Sequence, residues 1–394
     1  MRNMNSRLVV LVASIAVAAV AIGAALAYRQ GPQTINEADA APLSGSPSPT
    51  PVLTPTPTPT PKPSATPPAT PVTTPKPPSK APTTGPVKSK ITLAKLPQGR
   101  APQVTYLSGR TVRGGPGGEV KIPGTEDILD VARLNQSVLA VVSKGTDTEM
   151  LTIDDSGKVV RRTPDVTGIV TTEDGLAAAY IATRRSEQSA ALPGAVLYAE
   201  QESVKQYTLP DVWDAHPLGY ANGKVYFRAE PSEGTSTWAL YEWVPGTSKA
   251  TAVTEIPRPS GLTADGTIAA SVVNLTDYES CTNVIGVVSH RRLWRTCDYQ
   301  VVGFTPDGAT AIGAPFYRDG YADGIAAALD AKTGTLLHEW TGTFRQAVAE
   351  DDQHLLLLAD DGEDSPASII RCTTTTGECE RATPLEKGNL RIGS

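Results

Sequence analysis

The chain has few of the residues that carry chemistry. Only four histidines occur in 394 residues: His216, His290, His338 and His354. None forms an HxH or HExxH pair, so the close spacings that hold zinc are missing. There is no GxSxG nucleophile elbow, no P-loop and no GxGxxG fingerprint. The glycine-rich run Gly114-Gly115-Pro116-Gly117-Gly118 joins two short strands instead of opening a helix, so it reads as a turn. These absences speak against hydrolases, NTPases and dinucleotide enzymes that announce themselves by a local motif. An active site assembled from distant segments leaves no such mark.

Cysteine is equally sparse. Cys281 and Cys297 stand at the two ends of one expected hairpin, and Cys372 and Cys379 flank the turn of another. Antiparallel partners about a turn lie within disulfide reach. Both pairs are therefore expected to be bridged: Cys281 to Cys297 and Cys372 to Cys379. Zinc is the alternative, but these separations do not match CxxC pairs.

What the sequence does contain is repetition. Six similar segments begin at Leu151, Leu197, Leu240, Ile285, Ala327 and Ile369, spaced by 46, 43, 45, 42 and 42 residues. Each is a β-rich run, a turn and a second β-rich run. Ahead of most stands an acidic turn: Thr172-Glu173-Asp174-Gly175, Thr263-Ala264-Asp265-Gly266, Thr305-Pro306-Asp307-Gly308, and more loosely Asn222-Gly223 and Asp351-Asp352. Asp-Gly and Asn-Gly supply the positive φ of tight hairpins. A small or apolar run follows each turn. The unit is strand, turn, strand, loop, strand, turn, strand: one four-stranded propeller blade. The expected fold is all-β, a β-propeller. Residues 104–107, 119–122 and 389–392 remain as strands, and joining the two chain ends in one blade hides both edges. Seven blades are expected, with six as the alternative.

The segment FTPDGATAIG with IAAALDAKTGTLLHEW resembles the WD-repeat and TolB-like propeller proteins of bacterial envelopes, over roughly residues 100–394. The resemblance implies an architecture more than an activity. The Gly-His and Trp-Asp marks of true WD repeats are missing, and Trp213-Asp214 is the lone Trp-Asp pair. Ala328, Asp330, Gly334 and Trp340 resemble the tryptophan-docking motif of quinoprotein propellers. That pattern appears in one of six repeats with its Trp two residues late, so no quinone cofactor is expected.

Residues 8–27 form a twenty-residue apolar run. At ~1.5 Å per residue it spans about 30 Å, the hydrocarbon thickness of a bilayer. Arg2 and Arg7 precede it, so residues 1–7 are expected to stay cytoplasmic and the rest to be exported. A signal peptide cleaved after Ala25-Leu26-Ala27 is the alternative. Residues 28–99 read as a disordered Pro/Thr-rich linker, and 100–394 as the propeller. The Pro-rich part, 43–90, favours polyproline II and could reach on the order of 150 Å as a stalk. Residues 1–99 carry nine Lys and Arg against two Asp and Glu, a net of +7; the remaining 26 and 39 give the propeller −13. Such an acidic domain excludes nucleic acid as a partner.

Two loops are acidic enough to be weighed for calcium: Asp360, Asp361, Glu363 and Asp364, and Asp319 with Asp323. Neither follows the EF-hand pattern, and solvated connecting loops explain both. Tyr220, Tyr226, Phe227, Trp238, Tyr241 and Trp243 concentrate aromatics in the middle repeats, where packing between blades is the expected use and sugar or peptide stacking the alternative. Anchor, spacer, closed scaffold and missing motif together point to a non-enzymatic binding, sensing or scaffold module in the cell membrane. Its expected partner is a protein, peptide or glycan of the envelope. An exported hydrolase or lyase with its active site in the central channel is the alternative.

Overall fold

In the computed structural model, the described residues are 87–186, 191–233, 237–273, 280–316 and 321–394. The expected membrane segment at 8–27 and the linker up to residue 86 lie outside them. Among the described residues no helix is long and apolar enough to cross a membrane.

The second strands of blades read as near-continuous apolar runs because their sheets are covered on both faces. His354–Asp360 (HLLLLAD) shows this. Leu355, Leu357 and Ala359 enter one buried cluster with Trp340, Ile370 and Cys372. Leu356 and Leu358, on the opposite face, enter another with Tyr106, Ile369 and Ile392.

The strands make five four-stranded sheets and one eight-stranded sheet. The larger divides at the 14-residue strand Leu336–Ala349. Its first part pairs with Asp323–Asp330 and its second with His354–Asp360. Seven antiparallel four-stranded units follow in order, numbered here as blades 1 to 7 from the N-terminal side. Blades 2 to 5 occupy residues 128–164, 166–209, 215–257 and 259–296; blade 6 runs from 299 to 341 and blade 7 from 343 to 381. All six repeat starts fall in third strands of blades, and the Asp-Gly turns join first strands to second.

Blade 1 closes the set. Leu390–Ile392, from the far end of the chain, pairs with Tyr106–Ser108, which pairs with Thr111–Arg113 and then Val120–Lys121. Thr111–Arg113 was not foreseen: at three residues it is too short to show an alternation. The C-terminal segment also reaches blade 2. Gly393 N–H donates to Thr105 O and Ser394 N–H to Val131 O, both at 2.9 Å. Ser394 Oγ donates to Asp130 Oδ1 at 3.1 Å.

Residues 88–99, read above as the end of the linker, are instead part of the propeller. Lys88–Lys90 pairs in parallel with Leu336–Ala349, adding a strand to the outer edge of blade 6. Ile91, Leu93 and Leu96 pack against the cluster of Trp340, Phe344 and Leu355, and Leu93 is 2% exposed. The apolar residues of ITLAKL have a place to bury, and the neighbouring prolines obscured that.

Both cystines form as expected, each linking the third and fourth strands of a blade: Cys281 with Cys297 in blade 5 and Cys372 with Cys379 in blade 7. They staple outermost strands, which have a neighbour on one side only. The sequence separations are 16 and 7 residues. Loop-closure entropy then assigns them roughly 3 and 2.5 kcal/mol. Replacing Cys372 and Cys379 together by Ser should lower the unfolding free energy by about 2.5 kcal/mol in denaturant titration.

Asp130 yields a pH test of the closure. Burial pushes its carboxyl up to about 6, against the Ser394 hydroxyl and the Val131 N–H that favour the anion. A carboxyl raised above its unfolded value weakens the fold as pH rises through that interval. Stability should therefore fall between about pH 4 and pH 7. The loss is ~1 kcal/mol once the shift is discounted for the partial exposure of Asp130. Asp130→Asn should flatten that part of the stability–pH curve.

Candidate functional site

Where the first strands of the blades converge they leave a cavity of ≈ 690 Å³ that touches all seven blades. Its wall is apolar: Val104, Val170, Leu218, Leu262, Phe304 and Val348, one from each of six blades. A further cavity of ≈ 250 Å³ shares Leu218, Leu262, Phe304 and Val348 and continues away from the turns past Pro217, Val302 and Ala347. The result is an apolar shaft open at the turn face.

The mouth is built from the first-to-second-strand turns, and its chemistry repeats. In blade 3, Thr172 Oγ1 donates to Asp174 Oδ1 at 2.6 Å, and Asp174 Oδ1 accepts the Leu176 N–H at 3.0 Å. Thr263 and Asp265 repeat this in blade 5 at 2.6 Å, with the Thr267 N–H at 3.0 Å. Thr305 and Asp307 repeat it in blade 6 at 2.7 Å, with the Ala309 N–H at 2.9 Å. These aspartates are turn-formers. The Thr172 hydroxyl and the Leu176 N–H hold Asp174 below the usual carboxylate range. At Asp265 burial pulls upward, but the Thr263 and Thr267 bonds outweigh it and the net shift is downward. Neighbouring turns are clasped to each other: Asn135 N–H to Gly175 O at 2.8 Å, Asn222 Nδ2 to Asp265 O at 2.7 Å, and Asp307 N–H to Asp352 Oδ1 at 2.9 Å. The mouth is a preformed rim.

Glu173, Glu350, Asp351 and Asp352 line that rim, together with Arg133. Glu350 is 8% exposed and fully engaged. It accepts from Gln103 N–H at 2.7 Å and from Arg371 Nη2 at 2.6 Å, and Arg371 Nε reaches its other oxygen. Arg371, itself 3% exposed, also donates to the carbonyls of Arg100 and Ala101, both at 3.0 Å, and to Glu380 Oε1 at 2.7 Å. Successive residues of a strand face opposite ways. Cys372 faces the blade 6 side, so Arg371 faces blade 1. Residues 88–103 thus wrap the outer edge of blade 7 from one face to the other before reaching the cavity. The hydrogen bonds to Glu350, ahead of those to Glu380, raise the Arg371 pKa against its burial. Asp351 is pushed upward by burial, but the Gln353 N–H and the His354 ring prevail and hold it low. The Gly-rich run is more than a spacer. Its carbonyls at Gly114 and Gly118 accept from Arg133 Nε and Nη2, at 2.8 and 2.5 Å. Gly114 has φ +63, and a Cβ there would lie 2.1 Å from the Val104 carbonyl.

The other sequence candidates fall elsewhere. Asp360 is 3% exposed and taken by Arg345 at 2.9 Å, the Tyr321 hydroxyl at 2.7 Å and the Gly362 N–H at 3.0 Å. Asp361, Glu363 and Asp364 point to solvent nearby. Asp319 lies outside the described residues, and Asp323 opens the third strand of blade 6. Among the described residues no group of three His, Cys, Asp or Glu could hold a metal ion. The four histidines stay apart; His338 is buried beside Trp340 and His354 binds Asp351. Trp243, Phe227, Tyr241 and Tyr220 pack in the cluster between blades 3 and 4. Trp238 stands on the other side of its strand with the Arg228 guanidinium 4.7 Å over its ring. The Arg371–Glu350 pair had no sequence signal, since its partners are 21 residues apart, Arg371 in a strand and Glu350 in the turn after another.

The strand pairing makes this chain a β-propeller with a preformed central cavity. It matches no protein-family model and no curated protein. Among solved structures it is similar to an uncharacterised protein of Listeria monocytogenes EGD-e, with 9% identity, TM-score 0.45, and coverage of 68% of this chain and 86% of that one. It is similar to prolyl oligopeptidase B of Galerina marginata, with 11% identity, TM-score 0.47, and coverage of 66% and 42%. It is also similar to TolB of Acinetobacter baumannii, with 14% identity, TM-score 0.39, and coverage of 60% and 65%. The chain spans less than two thirds of the length of the last two.

Replacing Arg371 by Met leaves Glu350 buried without its bidentate cation, with the exposed Arg100 guanidinium 4.0 Å away. Breaking a buried pair from one side costs about 3–5 kcal/mol. The variant should unfold at correspondingly lower denaturant, and protease should reach residues 97–103 first.

Proposed function

We propose that the chain is a membrane-tethered, extracytoplasmic binding module that receives an extended segment of a partner protein in its central cavity. One observation carries this reading: an apolar shaft capped by a rigid rim bearing Glu173, Asp351 and Asp352. Apolar walls with a few placed polar groups are the usual make-up of a binding site. A rim held by turn hydrogen bonds loses little freedom when a ligand arrives. The rim charge favours a segment that joins apolar side chains to Lys or Arg. Tethering and export rest on the apolar run at 8–27, on Arg2 and Arg7, and on two cystines, which persist in oxidising compartments.

A second reading is an exported hydrolase or lyase. Four carboxyl residues around one mouth favour it, since paired carboxylates can divide acid and base roles. Against it, Glu350 is bound to Arg371 and Asp351 to His354.

Thermal unfolding of the purified chain with a panel of Lys- and Arg-containing apolar peptides separates the two, with peptidoglycan fragments and wall polysaccharide in parallel. A ligand at 100 times its Kd stabilises the fold by about 2.7 kcal/mol. A peptide should raise the midpoint, and Leu262→Trp, which fills the shaft, should abolish the shift. Turnover of a glycan or peptide, lost on Glu173→Gln and Asp352→Asn together, would establish the enzyme reading instead.

A further inference from the structure

The hairpin of blade 5 is chemically unlike the rest of the domain. It joins Cys281–Gly286 to Arg292–Thr296. In a propeller whose residues 88–394 carry 29 Lys and Arg against 39 Asp and Glu, a net of −10, Arg291, Arg292 and Arg295 are all exposed on this hairpin. Val288 is 88% exposed and Leu293 47%, so two bare apolar side chains stand among the arginines. The carboxylate contact found on this hairpin among the described residues is that of the His290 ring with Glu255, at 3.7 Å. None of the three arginines is part of it.

The hairpin is also held stiff. The Cys281–Cys297 bridge closes its base. Trp294 is 8% exposed and donates from Nε1 to Ala331 O of blade 6 at 2.7 Å. The Gly286 N–H bonds Arg291 O and the His290 N–H bonds Gly286 O, at 3.0 and 2.8 Å. Val288 is therefore displayed by the fold and is not the tip of a loose loop.

The geometry points to a docking surface for an anionic lipid bilayer. Arginines alone would suit any polyanion. Val288 and Leu293 gain nothing from a soluble polyanion, but both groups are satisfied at once at a headgroup boundary, where arginine stems snorkel and small apolar side chains leave water. Isolated exposed apolar residues are ordinary; their union with three cations on one rigid hairpin is not. The position of the tether agrees. The Glu339 N–H donates to Val87 O, so the chain enters the propeller along Leu336–Ala349 from the side of the turn whose Ala331 holds Trp294. From Thr335 to Glu339 is four residues, about 13 Å of strand. The rest of the domain's negative charge is screened beyond ~8 Å at physiological salt. This docking does not depend on what the cavity binds.

The test uses the full chain in liposomes of phosphatidylcholine, with or without phosphatidylglycerol, and Val288→Trp as reporter against the parent protein. With phosphatidylglycerol the added emission should shift to the blue and be quenched by shallow spin-labelled lipid. Each arginine at a charged surface contributes about fivefold, so Arg291→Ser, Arg292→Ser and Arg295→Ser together should cut the docked population roughly a hundredfold. An unchanged thermal midpoint shows that the variant still folds. Water-like emission in both liposomes, or equal quenching without phosphatidylglycerol, would overturn the proposal. So would soluble polyphosphate competing the hairpin off the liposomes at equal charge.

Discussion

Each blade among the described residues has two apolar faces, and the ring arrangement covers them. A blade such as His354–Asp360 and its neighbours has leucine on each side, so it is stable only between two other blades. The first and last blades of an open array would each expose an apolar face. Pairing Leu390–Ile392 with Tyr106–Ser108 removes that exposure by placing the two ends of the chain in one sheet. The contacts of Gly393 and Ser394 with blades 1 and 2 then fix the seam. Without this pairing neither the interblade clusters nor the cavity at their centre would be complete.

The cavity follows from the same constraint. Residues from all seven blades line it, and Val170, Leu218, Leu262 and Val348, which also pack against the interblade clusters, give the shaft its apolar wall. Its rim owes its rigidity to the Thr and Asp of three turns, whose side chains satisfy backbone N–H groups that would otherwise need water. The clasp from Asp307 to Asp352 carries that order from one blade to the next. Arg371 ties the segment before blade 1 to the same rim through Glu350, so the carbonyls of Arg100 and Ala101 and the mouth share one buried ion pair.

Much of the blade plan was legible in the residues. Third strands were marked by their spacing, and first-to-second turns by Asp-Gly. Cysteines placed symmetrically about turns marked the cystines. Thr111–Arg113 escaped because three residues cannot show a period. Residues 88–99 escaped because their apolar residues, within ITLAKL, sit at the end of a proline-rich tract whose composition dominates any window. The carboxylates offered as calcium ligands were visible as a cluster, yet the partners of Asp360, Arg345 and Tyr321, come from a neighbouring strand and from the segment ahead of another.

The sequence by itself determined the local quantities: where the repeated strands and their turns fall, which faces are apolar and which cysteines oppose each other. Each depends on residues within a few positions, where spacing translates directly into geometry. Only the tertiary structure decided which residues meet at the centre. Val104, Val170, Leu218, Leu262, Phe304 and Val348 share a wall because ring closure brings strands tens of residues apart to one axis. Arg371 meets Glu350 for the same reason. Convergence of that kind has no period in the chain, so no spacing could have announced it.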